Sequence, residues 1–267
     1  MRLLVLGLAL VGIASEARAA DWGPLRGSQI EVTGGMDWNG GYAGLHAGFN
    51  GMGANFNSGT KSLIAHLLRD TTIENEGNVS DWTTLGSADT RSSHFGGFAG
   101  YNMQFENVVI GVEANYSRTD LRATASDGLG RMFTTSDGYT NNVRVDSSAS
   151  VHLTDYATFR LRGGWSYGNF MPYGFIGAAI GRATVTRSAH VQASGTHAVQ
   201  PPYNFNQTAT ESKEDDFAYG IAGGLGVEYA LFQNLFVRAE YEFIKFGAFN
   251  DINMYLQSAR IGAGVKF

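Results

Sequence analysis

Eight ionisable side chains stand at alternating positions inside apolar or glycine-rich runs of this sequence: Glu113, Arg160, Arg162, Glu228, Arg238, Glu240, Glu242 and Arg260. A period of two puts such residues on one face of a strand. Acids and bases occur in equal number, so the chemistry on offer is pairing. A charge held away from water without a partner is costly, and a partner of opposite sign offsets that cost. Glu228 and Arg238 flank the turn Phe232-Gln233 and come close across a hairpin. Glu242 is carried towards Arg260 by a turn near Asp251. The expectation is a near-neutral ionic network on an inward face.

Other chemistry is thinner. His152 and His190, with Ser150, Asp155 and Ser188, supply the residue types of a nucleophile and base, but no spacing marks a triad. His66, His190 and His197, near Tyr203 and Phe205, offer the imidazole, phenolate and aromatic surface that a hemin site uses. No ligand spacing repeats. Glu211, Glu214, Asp215 and Asp216 offer carboxylates for calcium without the spacing of a calcium loop. The chain has no Cys, which excludes disulfides, thiolate metal sites and Cys nucleophiles. No enzyme activity, metal or cofactor is expected. No Lys/Arg-rich run points to nucleic acid.

The elements that must position the charges are strands. Phe217, Tyr219, Ile221, Leu225, Val227 and Tyr229 alternate with Ala218, Gly220, Ala222, Gly224, Gly226 and Glu228. Leu235, Val237, Ala239, Tyr241 and Phe243 alternate with Arg238, Glu240 and Glu242, after a turn at residues 231–234. Ala259, Ile261, Ala263, Val265 and Phe267 alternate with Ser258, Arg260, Gly262, Gly264 and Lys266. The same design recurs near residues 41–49, 94–105 and 108–117, with Glu106-Asn107 as a tight turn, and again in a strand ending near Tyr167. In the fifth strand, residues 172–186, Ile176, Ile180 and Arg182 share one face and Tyr173, Phe175 and Val185 the other. The pattern leaves open which of the two faces inward.

The count is eight antiparallel strands. Residues 51–90, 119–146 and 187–216 are polar and rich in Gly, Ser, Thr and Asn, and are expected to be long loops at one end, with a short fourth connection at 248–253. Short turns at one end and long loops at the other are the asymmetry of an outer-membrane barrel, periplasmic and extracellular respectively. The apolar face carries the large side chains and the polar face carries glycine and balanced charge. That inverts a soluble, lipocalin-like barrel and suits a narrow lumen surrounded by lipid. Charged residues make up only 16% of the chain, against about 25% in a typical soluble domain. Phe105, Trp165, Tyr229, Tyr255 and Phe267 are placed to form interfacial girdles. The stretch 63–68 is apolar within a polar loop, and suits either a short amphipathic helix packed on the rim or a partner contact.

Arg2, the apolar residues 3–13 and Ala17-Arg18-Ala19 follow the order of a secretory signal peptide. The apolar run is shorter than the roughly 20 residues of a spanning helix. The expected organisation is a signal peptide at 1–19 with cleavage after Ala19, a periplasmic arm at 20–39, and a transmembrane β-barrel at 40–267.

The chain resembles the porin-family β-barrel proteins of alphaproteobacteria, the opacity-protein-like group of small outer-membrane proteins. The resemblance is carried by Trp38-Asn39-Gly40-Gly41-Tyr42-Ala43-Gly44, Phe95-Gly96-Gly97-Phe98-Ala99-Gly100-Tyr101-Asn102, Gly223-Gly224-Leu225-Gly226-Val227-Glu228-Tyr229 and Arg260-Ile261-Gly262-Ala263-Gly264-Val265-Lys266-Phe267. It covers most of the chain after residue 20 and is strongest at the strands. It implies residence in the outer membrane among lipid and lipopolysaccharide. It also implies insertion by the barrel-assembly machinery, with Phe267 as the C-terminal insertion signal. The family's roles are envelope integrity, host contact and, in some members, hemin binding. The expected function is structural and surface-exposed, with the lumen closed by the inward charges. The alternatives are a surface receptor or adhesin for hemin or a host ligand, and a narrow channel. An eight-stranded barrel is just wide enough for side chains to fill, so no general diffusion pore is expected.

Overall fold

Period-two alternation becomes one closed sheet in the computed structural model, which describes residues 36–247 and 252–267. The strands are β1 (Gly40–Asn55), β2 (Ser87–Phe105), β3 (Val108–Thr134), β4 (Thr140–Trp165), β5 (Phe170–Thr196), β6 (Tyr203–Phe232), β7 (Leu235–Phe246) and β8 (Asn253–Lys266). Each pairs antiparallel with its sequence neighbour, and β8 closes on β1 with Tyr42 opposite Lys266. Between β1 and β2 lie α1 (Lys61–Leu67), α2 (Thr72–Gly77) and a single 3-10 turn at Val79–Asp81. No described helix is long and apolar enough to cross a membrane. The expected signal peptide, and the arm up to residue 35, lie outside the described residues, as do positions 248–251 of the fourth connection.

At the lower end the turns are short. Glu106 takes a positive φ of 53° between β2 and β3, and Gly168 one of 66° between β4 and β5. Near this end the outward face is apolar: Leu45, Phe95, Ile176, Leu225 and Ile261 are all exposed. In the fifth strand Tyr173 and Phe175 point inward and Ile176 outward, which resolves the face that the sequence left open.

The upper end departs from expectation. Residues 119–146 and 187–216 are not long loops; they are strand apart from the turns at 135–139 and 197–202. β3 to β6 run for 27, 26, 27 and 30 residues, whereas a tilted span needs about 9–11. In this upper part the two faces exchange character. Val143, Val145, Val151 and Leu153 of β4 and Val185, Ala189 and Val191 of β5 are buried. Arg122, Thr124, Arg144 and Asp120 lie on the outside. The reason is the solvent. Once the sheet leaves lipid its outer face meets water, so the interior becomes the apolar side, as in a soluble barrel. Polar composition signified an exposed face here, not irregular backbone.

Register shifts lie at this boundary, between Arg118 and Leu121, Leu153 and Asp155, and Ala183 and Val185. On β4 the buried positions are 149, 151 and 153 above the shift and 156, 158, 160 and 162 below it. An extra residue in one strand changes which parity points inward.

The apolar stretch 63–68 packs. Ile64 of α1 and Leu68 beyond it are fully buried against Val143, Val145, Ala189 and Val191. Thr71 caps α2 by accepting from the Glu74 backbone N–H at 3.3 Å. Glu74 in turn accepts from the Ser80 N–H at 3.1 Å, tying the helix to the turn after it. The connection between β1 and β2 therefore fills the concave side of the upper sheet.

Candidate functional site

The inward positions of β3, β4, β6, β7 and β8 bring all eight charged residues singled out in the sequence into one buried layer: Glu113, Arg160, Arg162, Glu228, Arg238, Glu240, Glu242 and Arg260 are each at most 5% exposed. Register explains much of the pairing. Glu113 is opposite Arg160 on β4, Glu228 is opposite Arg238 on β7, and Glu240 is opposite Arg260 on β8. Residues opposite one another on an antiparallel pair are near enough for their side chains to interact.

Glu113 is the hub. It accepts from Arg160 Nε at 2.9 Å, from Arg162 Nη1 at 3.1 Å and from Arg238 Nη2 at 2.9 Å. Glu228 meets Arg238 Nη2 at 2.6 Å and Arg162 Nη2 at 2.9 Å. Glu240 meets Arg160 Nη2 at 2.7 Å and Arg260 Nε at 2.6 Å. Glu242 is reached by Arg260 Nη1 at 3.2 Å and Arg160 Nη1 at 3.4 Å. Each carboxylate thus has at least two guanidinium partners, and each guanidinium at least two carboxylates. Shared in this way, the charges hold one another in a place where isolated ions would be strongly disfavoured.

Aromatic residues, which charge pattern alone does not reveal, complete the layer. The Tyr42 hydroxyl donates to Glu113 Oε2 at 2.8 Å, and the Tyr173 hydroxyl donates to Glu240 Oε1 at 2.6 Å. Arg238 stacks over Phe98 at 3.6 Å, Arg160 over Phe175 at 4.0 Å and Arg162 over Tyr173 at 4.0 Å from guanidinium carbon to ring centroid. A planar guanidinium can bond carboxylates through its edge while its face rests on a ring. The available signal was parity: Tyr42 and Phe98 alternate with glycines on the inward face. Those glycines make the room. A Cβ on Gly226 would sit 2.5 Å from the Tyr173 ring and 2.9 Å from Glu240 Cγ.

The same aromatic cluster continues from Tyr42, Phe98, Tyr173 and Phe175 to Trp38 and Phe236, which form the floor below the charges. Trp38, assigned from sequence to an arm outside the fold, is 2% exposed and packs edge-on to Phe236. Its backbone N–H donates to Gln104 Oε1 at 2.7 Å. Above the charges His46 and His94 face each other, with ring centroids 5.6 Å apart, and His94 Nε2 lies 3.4 Å from the Ser258 hydroxyl. Higher still an apolar ceiling begins with Met52, Leu121, Leu153 and Leu256. Phe267 lies at the lower rim, 79% exposed, and its backbone N–H donates to the Gly41 carbonyl at 2.9 Å.

Of the remaining candidates, Tyr203 and Phe205 line one cleft at the upper tip and the others are dispersed. His152 bonds Asp120 at 2.7 Å while Asp155 accepts from Arg182 Nε at 3.0 Å, so these side chains pair on the outer surface instead of forming a Ser-His-Asp relay. His190 bonds the Thr208 hydroxyl at 2.7 Å, and His66 bonds Arg69 at 3.1 Å. His197 makes a tilted ring contact with Tyr139 at the upper tip, with centroids 5.1 Å apart. Glu211 engages Arg187. Among the described residues no three His, Asp or Glu side chains are placed to hold a metal.

A family model described as outer membrane protein beta-barrel domain matches residues 70–267. The chain is 25% identical over 268 residues to the 25 kDa outer-membrane immunogenic protein of Brucella ovis, covering 99% of this chain and 97% of that protein. It is 26% identical over 245 residues to the 31 kDa outer-membrane immunogenic protein of Brucella melitensis, covering 87% and 85%. Among solved structures, Neisserial surface protein A aligns over 86% of this chain and 98% of its own, at 16% identity and a TM-score of 0.33.

Proposed function

This chain belongs to the outer membrane protein β-barrel domain family, and from that premise we propose that it is a closed, non-conducting barrel with a structural role in the envelope and a rigid surface-exposed upper part. The observation that carries the proposal is the buried layer of four glutamates and four arginines, enclosed between an aromatic floor and an apolar ceiling. An ion crossing the lumen would have to separate paired charges that are buried from bulk solvent. It would then have to pass an apolar layer that solvates ions poorly. Two features of the relatives support the surface role: they are outer-membrane proteins, and their names record them as immunogenic.

The decisive experiment is conductance. Purified protein, refolded and inserted into planar bilayers, is expected to give no steady current. Steady porin-sized steps would overturn the closed lumen. The envelope role is tested separately in a deletion strain, where detergent sensitivity is expected to rise and to be restored by the intact gene.

A further inference from the structure

The upper tip carries a cleft of about 480 Å³ that the barrel's closure does not need. Its walls include the rings of Tyr139, Tyr203 and Phe205, its floor includes Leu68, and its carboxylates are Asp70 and Asp137. It is brought together from the two strand tips and the segment after α1. The two tyrosine rings meet edge-to-face with centroids 5.4 Å apart. Their hydroxyls are occupied elsewhere: Tyr139 donates to the Pro201 carbonyl at 3.0 Å, and Tyr203 donates to Asn141 Oδ1. The phenols are thus fixed by their edges, and what they contribute to the cleft is ring surface.

The charge of the lining has one sign. Asp70 is exposed and sits at φ 62°. Asp137 accepts from the Thr72 hydroxyl at 3.0 Å. The Thr135 hydroxyl, bonded to the same carboxyl, holds it below its ordinary pKa, so it is ionised at neutral pH. No Lys or Arg is among the described residues of the lining. Aromatic faces attract cations through the ring quadrupole, and carboxylates at the rim add a Coulombic attraction of the same sign. Both carboxylates, Asp70 and Asp137, disfavour an anion in the same place.

We propose that this cleft binds a small organic cation, of the quaternary-ammonium or alkylamine class, with its apolar groups against the rings and its charge shared by Asp70 and Asp137. The proposal is independent of whether the barrel conducts.

The test is calorimetric titration of the full folded protein, in an uncharged polyoxyethylene detergent, with choline chloride. Dimethylbutanol, the uncharged carbon isostere of choline, is the parallel probe. Choline is expected to bind saturably, and the isostere at least about tenfold more weakly. Asp70→Asn retains a side chain that tolerates the left-handed backbone and is expected to weaken choline by about fivefold. Tyr139→Leu, checked for folding by circular dichroism and heat-shifted gel mobility, is expected to do the same. No saturable choline binding, equal affinity for the isostere, or unchanged affinity in Asp70→Asn would each overturn the proposal. The isostere comparison needs no variant, so a misfolded substitution leaves the test intact.

Discussion

Glu240 and Arg260 stand opposite one another in the β7–β8 register, and their side chains meet inside the barrel at 2.6 Å. Neither touches solvent appreciably. That relationship makes the lumen's energetics testable. Replacing Glu240 by Ala leaves Arg260 with Glu242 alone and takes a carboxylate from Arg160 as well. Breaking a buried pair by removing one partner typically costs about 3–5 kcal/mol. The double variant Glu240→Ala/Arg260→Ala is expected to cost less than the sum of the singles. Urea unfolding in lipid vesicles measures all three, and strict additivity would mean that the layer is hydrated.

The outward face of β6 is predicted to meet lipid. Leu225 is 71% exposed, and Leu225→Arg should destabilise the barrel by about 2–4 kcal/mol if it lies near the bilayer midplane. Gly224→Arg should fail for a different reason. A Cβ there would already stand 2.2 Å from the Tyr241 carbonyl and 2.5 Å from the Phe175 ring. Refolding yield and unfolding midpoint in vesicles separate the two, and a normally stable Leu225→Arg would reverse the assignment of faces.

The upper strands are predicted to behave as sheet. Amides of residues 121–133 and 141–153 should resist hydrogen exchange for far longer than the seconds expected of solvated loops. Val191 is fully buried whereas Ser188 faces outward. Val191→Asp should therefore lower stability by several kcal/mol through an unpaired buried charge, while Ser188→Asp should stay within about 0.5 kcal/mol. Equal effects at the two positions would remove the apolar interior from this part of the barrel.

Phe267 provides a fourth test. Its side chain contributes little to packing, being exposed at the rim. If it is the insertion signal, Phe267→Ala should reduce outer-membrane levels in cells severalfold, while the purified variant still refolds into detergent. Normal cellular levels would assign targeting elsewhere in the chain.

The strands around the charged layer were legible because lipid demands a large apolar side chain at every second position. Leu225 and Val227, or Val237 and Tyr241, announce an outer face with nothing else to explain them. The charges were legible as a set for the complementary reason: Arg238, Glu240 and Glu242 on one face require one another. Residues 119–146 and 187–216 do not read as strand because their alternation has the opposite sense to that of the lower strands. The inner face there is built from Val143, Val145, Ala149 and Val191, small enough to be lost among Ser and Thr. Phe98 and Tyr173 are not legible as lumen residues from the pattern alone, because an inward aromatic among glycines conflicts with a polar lumen unless a guanidinium rests on it. Trp38 carried no local periodicity, and its burial depends on Phe236, almost two hundred positions away.

The exchange of faces also gives the molecule a waterline. Just below the register shifts the outer surface shows Phe95, Tyr116, Phe217 and Tyr219; at and above them it shows Arg118, Asp120 and Arg122. Lifting the barrel by one turn of its alternation would wet the aromatic rings, and sinking it would drag charges into hydrocarbon. Both displacements are uphill, so the chain floats at one depth, and whatever the upper tip meets is met at a fixed height above the membrane.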